Sequence, residues 1–262
     1  MKLKRNILSQ WACIIGSILC IGAYFLFQNG QESHSTGKSI TFVLEVSQSM
    51  NVEDIDGVSR LQTAKDYITK ILQNTPAGEA SLTVFAGDSM RILPFTQDKN
   101  LFLTFLRSVD EYNVTKQGTR IDLALEDALQ NFYEKKNGTI VLLSDGGDEK
   151  IMLSSNLKDT LQESNLDIYI VGVGTQKWWY IPTGDIFSPY KLFAGKPVIS
   201  KLWRDFLHDI SSQLGWTYLS YTQYPQLQNV SGLQDGVFSF WILLAFLFWA
   251  LFLGLYYNEF YK

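Results

Sequence analysis

Four short apolar runs mark the middle of the chain: Ile40–Leu44, Ser81–Ala86, Thr139–Ser144 and Asp167–Val173. None has a clear polar face, so each reads as a strand buried on both sides, as in a parallel sheet. The stretches between them change period. In Ser59–Asn74 the apolar residues Leu61, Ala64, Ile68, Ile71 and Leu72 fall on one helical face, which predicts a covering helix. Further helices are predicted over Asn100–Leu106, Thr119–Phe132, Ser155–Glu163 and Leu202–Leu214. Arg91–Phe95 contains Pro94 and is predicted to be an edge strand, and Thr217–Tyr221 a closing strand. Strands alternating with helices in this way predict an α/β fold: a doubly wound, mostly parallel sheet with helices on both faces.

Two longer apolar runs flank this domain. Ile7–Phe27 and Val237–Tyr257 are charge-free over about 21 residues each, enough to span a bilayer as helices. Lys2, Lys4 and Arg5 precede the first, and the bulky Tyr24–Phe27 replaces the small-residue site expected of a cleaved signal. The pattern predicts a two-pass protein of the bacterial cytoplasmic membrane. Residues 1–6 and 258–262 would be cytoplasmic, 7–27 and 237–257 the spans, 28–38 a polar tether, and 39–224 a domain facing the periplasm or cell exterior.

Composition narrows the function. The 262 residues carry a net charge of −4 without long runs of one sign, which gives nucleic-acid binding no electrostatic support. The only cysteines, Cys13 and Cys20, lie in the first apolar run, so the domain has neither disulfide nor thiol nucleophile. Histidine is confined to His34 in the tether and His208 in the last helix, and no G-x-S-x-G or H-E-x-x-H motif occurs. A binding role, not catalysis, is the expectation.

The chemistry gathers after the first strand, where Glu45, Ser47 and Ser49 supply oxygens on alternate residues. Thr119 opens a helix after Gln117–Gly118, and Asp145 follows a buried strand directly. In a parallel α/β sheet all five reach the carboxyl edge, where ligand sites form. Oxygen-only donors of this kind suit Mg²⁺, with Mn²⁺ or Ca²⁺ as alternatives, and not zinc. Each also has a plainer reading: Ser47 and Ser49 as loop hydrogen bonds, Thr119 with Asp122 as a capping box, and Asp145 before two glycines as a turn.

The order E-V-S-Q-S, Q-G-T and L-L-S-D-G resembles the von Willebrand factor A domain with its metal-ion-dependent adhesion site. SMNVEDI, SRLQTAK, LTVFAGD, LPFTQD, IVLLSDGGDE and IYIVGVGT are similar to Bat-type (aerotolerance-operon) membrane proteins, in collinear order over about residues 38 to 222. The resemblance implies Ser47 and Ser49 as direct metal ligands, Thr119 as an exchangeable one, and Asp145 at or just beyond the first shell. Glu45 stands where the family has Asp, and its extra methylene bears on ion binding. By the same resemblance the domain would recruit protein partners through the ion, among them sister Bat-like proteins and, indirectly through the spans, a MoxR-type AAA+ ATPase. A metal-free scaffold of an envelope complex and a metal-dependent hydrolase are the alternatives.

One connection is long. Gly174–Pro197 runs for about 24 residues where about 4–6 are usual. It leaves the strand Asp167–Val173 and carries Trp178, Trp179 and Tyr180, residue types that dominate binding hot spots. These three are the candidate partner contacts.

Overall fold

The structure is a computed structural model, and it describes residues 39–75, 78–133, 137–147 and 153–225. Its centre is a six-stranded sheet in the order β10-β5-β4-β1-β2-β3. The strands are β1 (Ile40–Glu45), β2 (Ala80–Phe85), β3 (Ser89–Thr96), β4 (Gly138–Ser144), β5 (Leu166–Gly172) and β10 (Thr217–Ser220). All neighbours run parallel except β2 and β3. Pro94 is tolerated in β3 because that strand forms the sheet's edge. β1, β2 and β4 are buried along their whole length, as their unbroken apolar runs require.

Among the described residues five helices cover the two faces: α1 (Arg60–Asn74), α2 (Lys99–Ser108), α3 (Ile121–Asn131), α4 (Ser155–Glu163) and α5 (Arg204–Leu214). Alternate strand residues feed two cores. Phe42, Leu44, Leu82, Val84, Val141 and Leu143 pack with α1 and α2 residues such as Ala64, Ile68 and Phe102. Val43, Phe85, Ile140, Leu142 and Ile170 pack with Leu125 of α3, Leu157 of α4 and Leu207 of α5. Ser59 caps α1 by accepting from the Gln62 amide, and Asp98 caps α2 through the amides of Asn100 and Leu101.

The carboxyl ends of β1, β2 and β4 lie side by side, with Glu45 opposite Phe85 and Leu44 opposite Leu143. Strand order reverses here, since β1 sits between β2 and β4, and a crevice at such a point is where this architecture places ligands. The long connection after β5 is not shapeless. Short strands β6 (Trp179–Tyr180) and β9 (Ile199–Ser200) pair antiparallel to form its stem, and β7 (Leu192–Phe193) pairs with β8 (Lys196–Pro197) beyond it. We refer to this projection as the hairpin.

The predicted fold class needs one correction. A mixed, mostly parallel sheet with flanking helices is present, and among the described residues no transmembrane helix flanks it. Among the described residues no helix is long and apolar enough to cross a membrane; the stretches predicted as spans, 7–27 and 237–257, lie outside the described residues.

Candidate functional site

Four of the five predicted oxygen donors meet directly. Glu45 ends β1 with its side chain fully buried. Its Oε1 accepts hydrogen bonds from Ser47 Oγ and Thr119 Oγ1, both at 2.7 Å, and its Oε2 accepts one from Ser144 Oγ at 2.5 Å. Ser49 Oγ lies 2.9 Å from Ser47 Oγ; because the Ser47 proton is committed to Glu45, Ser49 is the donor in that contact. A single 3-10 turn, Gln48–Asn51, brings the second serine round to the first. Thr119 precedes α3 but caps nothing: Arg120 takes the cap position without a side-chain bond and pairs with Asp122 instead. Gly147, at φ 56°, lies so close to Thr119 that a Cβ there would fall 2.4 Å from the threonine Cβ.

The fifth donor, Asp145, belongs to a different network, centred on Arg60. This guanidinium opens α1 yet is wholly buried. Its Nε and Nη2 bind the two oxygens of Asp54 at 3.0 and 2.7 Å, and Nη1 donates to Asp145 Oδ2 at 2.7 Å and to Ser200 Oγ at 2.8 Å. Asp54 also accepts from the Thr175 amide and hydroxyl at 2.8 and 2.9 Å. One arginine therefore ties the first loop, the end of β4 and both stems of the hairpin together. Gly174, at φ +128°, lies against it so closely that a Cβ would come within 2.7 Å of Nε. Backbone bonds from Leu202 to Thr175 and from Trp203 to Asp145 close the same junction.

The two carboxylates facing this junction behave oppositely. Burial, reinforced by the charge of Asp145, pushes the Glu45 pKa up to about 7 despite the three hydroxyl bonds, which pull the other way. For Asp54 burial would also raise the pKa, but the hydrogen bonds and charge of Arg60 together with the Thr175 bonds outweigh it and hold the carboxyl below its ordinary value.

This donor set does not fit the predicted ion. A hard cation needs about six oxygens turned towards one point. Here the hydroxyls of Ser47, Thr119 and Ser144 converge on the Glu45 carboxylate itself, and Asp145 is paired with a guanidinium. Among the described residues, no group of three or more His, Cys, Asp or Glu side chains is placed to hold a metal. The reading of the domain as a metal-ion-dependent adhesion site is corrected accordingly.

The three candidate partner contacts sit on the hairpin and are exposed, but two of them lean on neighbours. Trp178 stands edge-on to Trp203, with Lys201 Nζ lying over both rings at 4.7 and 4.5 Å, and Tyr180 packs at 5.0 Å against Tyr190. The freest apolar side chains are Phe187 and Ile186, 97% and 91% exposed, with Phe193 at 79%. Ile181 points inward and is buried.

Sequence reasoning missed Arg60, Asp54, Thr175, Ser200 and Ser144. Only Arg60 gave a local signal: a cation in the first turn of a helix opposes the helix dipole, so an arginine there, without an acidic neighbour in that turn, has to be held by something else.

A doubly wound sheet whose switch point collects serine, threonine and two acidic residues defines a von Willebrand factor type A domain, and residues 40–147 match that family's sequence profile. The chain carries a von Willebrand factor type A domain and is related to the Bat-type proteins of Bacteroides. It is similar to an aerotolerance-related membrane protein of Bacteroides fragilis, at 25% identity, a TM-score of 0.63 and coverage of 70% of this chain and 91% of that one. Its fold is shared with BatB of Bacteroides thetaiotaomicron, at 22% identity, a TM-score of 0.64 and coverage of 78% and 98%. An uncharacterized protein of Borreliella burgdorferi is 27% identical over 168 residues, 62% of this chain; the match spans 46% of that relative's length.

The membrane-based expectations are corrected with the metal. A two-pass location in the cytoplasmic membrane, and partners such as sister membrane proteins or a MoxR-type ATPase reached through the spans, all required membrane-crossing helices. Among the described residues none is long and apolar enough.

Proposed function

We propose that this protein is a metal-independent von Willebrand factor type A scaffold that binds a protein partner with the hairpin. The observation that carries the reading is the cluster of outward apolar side chains on that one projection, with Ile186 and Phe187 almost fully exposed at 91% and 97%. A contiguous apolar patch on a domain surface is characteristic of a docking site, and aromatic residues there supply most of the binding energy. Trp178, Trp179 and Tyr180 line the stem of this surface, and Ile186, Phe187 and Phe193 lie further out. Lys177, Lys191, Lys196 and Lys201 outnumber the single Asp185 over this segment, which favours a partner with an acidic rim. A binding role also agrees with the chemistry of the switch point. Its carboxylates are engaged by hydroxyls and a guanidinium, and the only histidine among the described residues, His208, is largely exposed on α5.

The test is site-specific photocrosslinking in the cells that make the protein. A crosslinker at Phe187 should give a discrete heterologous adduct, and one at Tyr133, 92% exposed just past the end of α3, should not. Adduct formation at both positions alike, or at neither, contradicts the proposal.

A further inference from the structure

The mismatch between donor set and ion leads to a more specific statement, which rests on the metal-independent reading above. We infer that the chain carries its own substitutes for the ion: Glu45 takes up the hydroxyls, and Arg60 supplies the positive charge that presents the hairpin.

The geometry divides the work between two side chains. Glu has one methylene more than Asp, and the three hydroxyl bonds to its oxygens, at 2.5 to 2.7 Å, leave those hydroxyls turned on a carboxylate of the chain. Their protons are committed to Glu45 while their lone pairs stay free, so what opposes an ion here is the positive charge beside them. The second carboxylate, Asp145, is neutralised by Arg60 Nη1 at 2.7 Å, with both side chains buried. A metal ligated by Asp145 would sit beside that guanidinium, and like charges in a poorly screened site repel strongly.

Arg60 does something a bound ion at the switch point would otherwise have to do. Its contacts extend from Asp145 to Ser200 on one hairpin stem and, through Asp54, to Thr175 on the other. The hairpin is thus seated by a covalently attached cation that cannot dissociate. Its presentation is constitutive, with no divalent-ion switch between a binding and a non-binding state. A recognition loop held in one conformation loses less entropy on binding.

Mn²⁺ alone is the probe, titrated into the intact chain after EDTA treatment. Wild type should show a melting temperature unchanged within about 1 °C in millimolar Mn²⁺, because only an ion that binds the native state shifts it. An Mn²⁺-dependent rise in wild type would overturn the inference, and this arm requires no variant. The converse arm combines Glu45→Asp, Arg60→Gln and Asp54→Asn, removing both substitutes and the carboxylate that Arg60 would leave unpaired. If folded, it should gain an Mn²⁺-dependent rise of about 4 °C or more; a folded variant without that gain also overturns the inference. Arg60→Lys keeps the charge but loses the fork. It should remain insensitive to Mn²⁺ while protease cleavage between Thr175 and Ser200 accelerates by about tenfold, and a cleavage rate equal to wild type would show that Arg60 does not seat the hairpin. Photocrosslinking at Phe187 reads the partner reading separately, so loss of the adduct with the Mn²⁺ results intact contradicts the partner and not the substitution.

Discussion

At the scale of single residues, Glu45 and Arg60 decide the character of the switch point. The folded state raises the Glu45 pKa from about 4.5 to about 7, so it favours the protonated side chain. The sign follows from linkage: this contribution to stability is fully present below pH about 4.5, falls as pH rises through about 7, and is level above that, a change on the order of 3 kcal/mol. Glu45→Gln should remove this component, so the difference in unfolding free energy between pH 5 and pH 8 should be smaller in the variant. Parallel pH profiles for the two proteins would contradict the shift. Arg60 should be costlier to lose. Arg60→Ala leaves Asp54 and Asp145 buried without their cation and should cost about 3–5 kcal/mol in urea unfolding, whereas a loss below about 1 kcal/mol would mean that the carboxylates do not depend on it. Glu45 was conspicuous in the sequence because it ends an apolar strand. Arg60 offered only its place in the first turn of a helix, since arginine is normally a surface residue and its partners Asp145 and Ser200 are distant in the chain.

At the scale of elements, the strands were legible because β1, β2 and β4 are buried on both faces and therefore read as unbroken apolar runs. The helix faces followed from Leu61, Ala64, Ile68 and their counterparts. The hairpin was legible only as a connection too long to be idle: β6, β7, β8 and β9 are two residues each, too short for any period, and Pro182, Pro189 and Pro197 punctuate the segment. What organises it is the junction at Thr175, Ser200 and Arg60, which no local pattern encodes. Its inner and outer sides should respond differently to substitution. Ile181→Ala should cost about 2–4 kcal/mol because that side chain is buried, whereas Ile186→Ser with Phe187→Ser should stay within about 0.5 kcal/mol of wild type. Equal losses would mean that the outer residues fold back onto the domain. Gly174→Ala should destabilise through both its positive φ and its contact with Arg60, by about 1–3 kcal/mol, measurable in the same denaturant series.

At the scale of the whole molecule, the order of strands and helices gathers Glu45, Asp145, Thr119 and both ends of the hairpin at the switch point of the sheet. The meeting of Glu45, Thr119 and Asp145 at this edge was expected from three short motifs in collinear order, and the alternation of strands and helices made the α/β core legible too. The bonding there was not, because no local pattern encodes the contacts of Glu45 with three hydroxyls or of the buried Arg60 guanidinium with Asp54 and Asp145. The account's central claim is that partner binding runs through the hairpin and needs no ion. It is tested most directly by photocrosslinking from Phe187 in parallel samples with EDTA and with Mg²⁺. The account predicts the same adduct in equal yield in both, and an adduct that forms only with Mg²⁺ and is abolished by EDTA would contradict it.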